Sequence, residues 1–395
     1  MSRERREKGR DCALPYFAAD SIIPAYIDSR LTFCDNPDPK VAQVTGTGSS
    51  SLGSSRISCL PLYLLAQLDN PTLCEAHAVA LQLPLLINSE NQSPWLQLQR
   101  GALKGSCTQR SMPPKVLTHC LHDWFNQAFV ASSNVTCDQW VEHDTYIVTR
   151  HDSLSAWYTL SDMWFAFLSA AVFKLQPHSA RAIFADAQPS GVAASFWSIA
   201  FSAAAPLPLQ QLAKQKMSEG VRTLCFRRAI FNPSATTSGL ERGLQHLQGR
   251  MACSDNLLLQ AFATQVRMLM TAEDPPPANP LSVSVFFLKD DSLPPSSDHL
   301  FSLLQRRLSP SASIVVANVR RSSFKQIVTA IAHASLLLAT SDTAAAYALY
   351  LRPHSACVSL QFEEAPLLRM RLITSWARIA HRRSASFCPP ASSSH

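Results

Sequence analysis

The sequence predicts an α/β protein in two halves, the first holding a β-α-β unit and the second a parallel, doubly wound sheet. Three observations lead there. Residues 145–149 are a β-branched and aromatic run that suits a buried strand. Residues 154–175 are apolar or small all round apart from Asp162 and Lys174, the pattern of a buried helix. Residues 181–185 are a second apolar run ending at Asp186, followed by the turn signal Gln188-Pro189-Ser190-Gly191. Together they make one β-α-β unit, which places ligands at the carboxyl ends of its strands. The second observation is the final third, where strand-like and helix-like runs alternate. Strands are expected at 281–288, 314–319, 336–339 and 357–360, and helices at 298–308, 324–333, 343–351 and 367–380. The third is composition: 47% hydrophobic against 16% charged residues requires large buried cores and excludes a disordered chain.

The remaining segments follow in order. Residues 1–56 read as a poorly ordered lead, because the tract at 45–55, rich in Gly, Ser and Thr, buries too little to fold alone. Apolar density rises at 60–68 and 76–86. A probable strand at 221–226 continues into Cys225–Pro233, CFRRAIFNP, and residues 235–249 form a polar hinge. An amphipathic helix is expected over 256–271, before a proline-rich connector at 274–280. The domains expected are therefore 1–56, 57–250 and 251–395.

Formal net charge is +7, but much of the excess sits in basic clusters at 3–10 and 378–383, so it gives no basic stripe for nucleic acid. The eleven cysteines contain no C-x-x-C pair, which argues against a zinc ribbon or a thioredoxin-type motif. Five of them, Cys59, Cys74, Cys107, Cys120 and Cys137, crowd the first third, where disulfides would suit an oxidising compartment. Spacing leaves their connectivity open. Asn91-Gln92-Ser93 and Asn134-Val135-Thr136 are N-glycosylation sequons. Against this, residues 12–19 are broken by Pro15 and are too short for a signal-peptide core. No run reaches the roughly 18 apolar residues of a spanning helix. The chain is then either cytosolic or lacks its targeting segment, and membrane association would need a segment not present here. His119, Cys120, His122 and Asp123 are metal-ligand types, but their spacing puts them on different helix faces, so no metal is expected.

Several blocks, in order, resemble glycosyltransferase family 61, especially relatives of the EGF-domain-specific O-linked N-acetylglucosamine transferase. They are DTYIVTRHDSLSAWYTLSDMWFAF (144–167), RAIFADAQPSG, CFRRAIFNP, SDNLLLQAFATQV (254–266), and SVSVFFLKD through ATSDTAAAYALYLRP (282–353). The resemblance implies a GT-B-like fold, two Rossmann-like doubly wound lobes facing a cleft. It implies inverting transfer of N-acetylglucosamine or a pentose from a UDP-sugar co-substrate to a hydroxyl on a protein or glycan acceptor. No cofactor or metal is implied, since a helix N-terminus and basic side chains can hold a diphosphate. An endoplasmic reticulum or Golgi lumen is implied as the location.

Carried residue by residue, the resemblance makes Asp162 the group that deprotonates or orients the acceptor hydroxyl; a structural ion pair is the alternative. An aspartate in an apolar helix is costly to bury unless paired or used. Lys289 stands where the family has an arginine after the first donor strand, and keeps its charge without the bidentate fork. Arg320, and Arg227 and Arg228, are donor-phosphate ligands on this reading, or else partners of carboxylates. The family's His-Gly-Ala-Gly-Leu turn falls on Ser341, Asp342, Thr343, Ala344 and Ala345, with both glycines and the histidine replaced. Ser341 or Asp342 would serve there as a helix N-cap. The family's Tyr-His doublet falls near Trp157-Tyr158, again without the histidine. Lys289-Asp290-Asp291 is not read as a metal site, because adjacent aspartates on a strand point in opposite directions. These losses support a second reading, a catalytically inactive relative that acts as a binding or stabilising subunit.

Overall fold

The computed structural model describes residues 30–35, 52–61, 72–86, 98–109, 121, 123–150, 152–176, 179–201, 204–232, 257–271, 283–289, 302–307, 312–341, 344, 346–352, 355–362 and 368–372. They fall into two compact units that divide between Gly249 and Arg250.

The N-terminal unit is built on one mixed sheet. Its strands are β1 (Leu31–Asp35), β2 (Arg56–Pro61), β3 (Thr72–Gln82), β4 (Leu103–Gly105), β5 (Thr108–Gln109), β6 (Phe129–Ala131), β7 (Gln139–Val141) and β8 (Thr145–Val148). Helix α1 (Ala156–Val172) then leads to β9 (Arg181–Phe184), α2 (Ala194–Ala200), β10 (Leu207–Pro208), α3 (Leu209–Ser218) and β11 (Thr223–Phe231). The main strand order is β10-β9-β8-β11-β3-β2-β1-β5, with β4 and β7 pairing from the side onto β3 and β11 and β6 pairing onto β4. From β10 to β11 the strands are parallel, as the doubly wound expectation requires. From β11 through β3, β2, β1 and β5 they are antiparallel. The ten residues between β2 and β3 are too few for the crossover a parallel pair needs, so that pair returns on itself.

The expected β-α-β unit is present. Helix α1 has no exposed residue among those described, which explains why its sequence is apolar all round. It ends at Phe173, with Lys174 in the left-handed region at φ 51°. The opposite sheet face carries a second core, where Phe33, Phe125, Phe129, Phe226 and Phe231 are buried together. Phe33 lies on β1, so residues 31–35 correct the expectation of a disordered lead over 1–56. The run LTFCD is short but apolar enough to pair with β2, and a disulfide from Cys34 to Cys107 ties it down. Further disulfides join Cys59 to Cys74 and Cys137 to Cys225. Cys357 is a buried free thiol, and burial pushes its pKa up to about 12.

The C-terminal unit holds α4 (Leu257–Met270), β12 (Val283–Lys289), a helical stretch at 302–307, β13 (Ala312–Asn318), α5 (Phe324–His333), β14 (Leu336–Ala339), β15 (Ala356–Phe362) and β16 (Leu368–Leu372). The strand order is β13-β12-β14-β15-β16, parallel except for the last pair. Helix α5 matches its expected span and starts on a capping box between Ser323 and Gln326. Two expectations are corrected here. Residues 368–372 form a strand antiparallel to β15, not the start of a helix over 367–380. Leu368, Met370 and Leu372 alternate with Arg369 and Arg371, and this period of two prevails over the helical reading. Within the helix expected at 343–351, Tyr347–Tyr350 is a 3-10 turn.

Candidate functional site

Each unit has a topological switch point, where successive strands leave in opposite directions and open a crevice at their carboxyl ends. In the C-terminal unit the chain steps from β12 outward to β13, then returns past β12 to β14, so the switch point lies between β12 and β14. Lys289 is the last residue of β12, in register with Asn318 of β13. Thr340 and Ser341 follow β14, and the buried Thr340 donates its hydroxyl to the Leu288 carbonyl at 3.4 Å. The fold thus brings Lys289, Arg320 and Ser341 to one edge.

The loops at that edge are held locally. The Asn318 side-chain oxygen accepts the N–H groups of Arg320 at 2.8 Å and Arg321 at 3.2 Å, which turns the chain into α5. Arg320, Arg321 and Lys325 are exposed around the start of that helix. The Ser341 hydroxyl accepts the Ala344 N–H at 3.1 Å, so it caps the turn that follows, as its position predicted. Asp342 and Thr343 lie outside the described residues. Below the turn, Tyr347 and Tyr350 are buried with Phe324, and burial pushes both phenols above their ordinary range.

In the N-terminal unit the chain steps from β8 out to β9 and β10, then returns to β11 on the other side of β8. The switch point here lies between the carboxyl ends of β8 and β11. Buried polar groups concentrate around it: Thr149, Arg150, Ser153, Asp186 and Asn232, with Thr159, Ser161 and Asp162 on α1. Buried polar side chains are uncommon, so such a concentration marks a site or its frame.

Arg150 and Asp186 are the frame. Every guanidinium N–H finds an acceptor. Nε donates to Asp186 Oδ2 at 3.1 Å, and Nη2 to Asp186 Oδ1 at 2.6 Å and the Gln188 carbonyl at 3.0 Å. Nη1 donates to the Pro189 and Ser190 carbonyls at 2.8 and 3.0 Å. The guanidinium also lies 3.7 Å from the Phe184 ring centroid. Gln188 closes the knot, its amide donating to the Arg150 carbonyl at 2.7 Å and accepting the Ser153 N–H at 2.7 Å. Gly191, at φ 81°, packs where any Cβ would meet the Ser153 carbonyl, so the turn signal read from sequence is required sterically. Asp186 is thus a structural acid. Arg150 was not singled out by sequence, although a lone arginine directly after the apolar strand was the available signal.

Asp162 is 1% exposed. It shares a helix face with Ser169, two turns later, whose hydroxyl lies 3.5 Å from the Tyr146 phenol oxygen. Burial, opposed by that hydrogen bond and reinforced by the Asp162 charge, pushes the Tyr146 phenol well above its usual range.

Arg227 and Arg228 stand on β11 in this unit and bind carboxylates. Arg227 donates to Glu142 at 3.0 Å and stacks 4.0 Å from the Trp140 ring centroid. Arg228 donates to Glu75 at 2.8 Å, to Asp144 at 3.0 Å and to the Phe173 carbonyl. Burial alone would raise the Glu75 carboxyl, but His77 and then Arg228 hold it below its ordinary value. Of the two roles open from sequence, carboxylate pairing accounts for these contacts. No group of metal-ligating side chains occurs among the described residues; His119, Cys120 and His122 lie outside them.

Of the two sequons, Asn91 lies outside the described residues. Asn134 and Thr136 are both exposed in the loop between β6 and β7, flanking a buried Val135 whose carbonyl accepts the Leu52 N–H at 2.9 Å. We propose that Asn134 carries an N-linked glycan. Protein made in a eukaryotic secretory host should lose mass on peptide-N-glycosidase treatment, and Asn134→Gln should remove one glycan's worth of that loss. An unchanged digest for N134Q would overturn the assignment.

No family model matches the chain. Over 115 residues it is 28% identical to "Beta-1,2-xylosyltransferase" of Arabidopsis thaliana and 29% identical to "Beta-1,2-xylosyltransferase RCN11" of Oryza sativa subsp. japonica. Each match spans 29% of this chain and 20% of the relative, so the similarity covers about a fifth of the length of these curated proteins. These matches support a relationship between this chain and glycosyltransferases.

Proposed function

We propose that the protein transfers a sugar, N-acetylglucosamine or a pentose such as xylose, from a UDP-sugar to a hydroxyl of a glycan or protein acceptor. The similarity to two beta-1,2-xylosyltransferases carries this reading. The geometry supports it by supplying a basic group at a switch point, Lys289, and a polar one, Asp162, near another. On this proposal Lys289 and Arg320 hold the donor diphosphate, whose charge they offset without a metal ion. Asp162 accepts the proton of the acceptor hydroxyl as that oxygen attacks the anomeric carbon, and the nucleoside diphosphate departs from the opposite face with inversion. The disulfides among the described residues fit an oxidising compartment, consistent with a Golgi or endoplasmic reticulum lumen.

One observation favours the second reading, an inactive relative. The Ser341–Ala345 segment lacks the glycines that would let the backbone approach a diphosphate, and the Ser341 hydroxyl is engaged as a cap. Calorimetric titration of UDP into metal-free protein, with GDP as control, separates the two. UDP-selective binding near micromolar, about −8 kcal/mol, is expected, weakened at least about tenfold by Lys289→Ala. Folded protein that binds no UDP would overturn the transferase reading.

A further inference from the structure

We propose that Asn232 is a hydroxyl-binding residue for a glycan acceptor, seated near Asp162 at the switch point of the N-terminal sheet. The proposal rests on the transferase reading for the role of that glycan as acceptor.

Asn232 directly follows β11, and its N–H extends the ladder by donating to the Ile147 carbonyl at 2.9 Å. Phe231, one residue earlier, packs against Trp124 and Phe125 on the face of the second core. Alternation along the strand therefore turns Asn232 to the other face, the one covered by α1. Two contacts fix how α1 runs over that face. Arg228 of β11 donates to the Phe173 carbonyl at the end of the helix, and Tyr146 of β8 meets Ser169 one turn earlier. The helix thus runs antiparallel to the parallel strands, and its N-terminal half lies over their carboxyl ends. Asp162 is about 10 Å back along the helix from Ser169. Asn232 is two positions, about 7 Å, beyond Ile230, the residue in register with Tyr146. Along the strand direction Asp162 and Asn232 are then about one residue apart.

The carboxamide is 1% exposed, and neither its nitrogen nor its oxygen has a hydrogen-bond partner among the described residues. Leaving such a group unpaired is costly, and an apolar side chain of similar size would avoid that cost. What the amide can bind follows from its two ends. An anion would use only the NH₂ and face the carbonyl oxygen and the Asp162 charge. A cation would use only the oxygen. A sugar hydroxyl both donates and accepts, and neighbouring hydroxyls can engage the two ends together. A neutral polyhydroxyl compound satisfies the whole group, and the transferase reading selects it over an amide or a nucleobase edge, which would pair equally well. At 1% exposure, engagement draws on a minor, locally opened state, so the affinity of a free glycoside is weak.

Saturation-transfer NMR on the full chain, with methyl β-D-galactoside and methyl α-D-mannoside as probes, tests this. The wild-type protein should give a saturation signal with at least one probe, and Asn232→Leu should reduce it about tenfold. The thermal midpoint of N232L should equal or exceed that of the wild type, because no internal hydrogen bond is lost. Asn232→Ala, which adds no bulk, should show the same loss of signal. Absence of signal with the wild type, or an unchanged signal in both variants, would overturn the proposal. So would a fall of more than roughly 5 °C in N232L, since it would show that the amide has partners within the fold. UDP binding without a glycoside signal would sink this inference alone; a glycoside signal without UDP binding would sink the transferase reading alone.

Discussion

Replacing Asp186 by alanine is expected to destabilise the protein by about 3–5 kcal/mol, because it leaves the Arg150 guanidinium charged, buried and without its carboxylate. The side chains are 3% and 0% exposed, so water cannot take over the lost contacts without opening the structure. Three backbone carbonyls, those of Gln188, Pro189 and Ser190, are held by the same guanidinium. They carry the turn that follows β9, so the damage spreads from the pair to the carboxyl edge of the sheet. For a unit of this size the thermal midpoint should fall by roughly 6–20 °C. Asp186→Ala combined with Arg150→Leu should recover part of the loss, since the remaining buried charge is then gone. A midpoint lowered by less than about 2 °C in D186A would show that the pair contributes little.

On the proposed mechanism, Asp162→Asn is expected to lower kcat for sugar transfer by about 10²–10⁴-fold while leaving UDP affinity unchanged. The substitution keeps the shape of the side chain but removes its ability to accept the acceptor's proton. Because Asp162 is buried and its charge reaches the Tyr146 phenol, a larger change would disturb packing. The thermal midpoint must therefore be measured on the same preparation. Transfer that continues at the wild-type rate in D162N would remove Asp162 from the chemistry, and a collapse in stability without a kinetic defect would make it a structural acid like Asp186.

Much of this arrangement was legible in the residues because local pattern and tertiary role agree. The β8–α1–β9 unit announced itself through an apolar helix flanked by a β-branched run and an apolar one, and β12 to β15 through regular alternation. The segment at 31–35 was hidden because five residues carry little pattern, and its stability comes from β2, β5 and Cys34–Cys107, all distant in sequence. The strand at 368–372 was hidden because Leu367, Leu368 and Leu372 also suit a helix, and only pairing with β15 decides between the periods. Among the candidate residues, Lys289, Arg320 and Ser341 could be placed near the ends of their strands. Asn232 could not: its significance depends on strand order, which places β11 beside β8 although more than 70 residues separate them. Arg227 and Arg228 show the opposite limit. Their charge suggested an anion, and only the fold reveals Glu142, Glu75 and Asp144 as their partners.

The position of β11 has a consequence for biosynthesis. Among the described residues it is the last strand of its unit to leave the ribosome, yet it pairs with β3, β7 and β8. Until Phe231 has emerged, the edges of β3 and β8 have no neighbour at that position, and Cys137 has no partner at Cys225. The nascent sheet therefore cannot be completed strand by strand as it is made. It must wait with open edges that are prone to pair wrongly with other chains. A stalled or truncated product ending before residue 223 should depend on chaperones far more than one ending after residue 232.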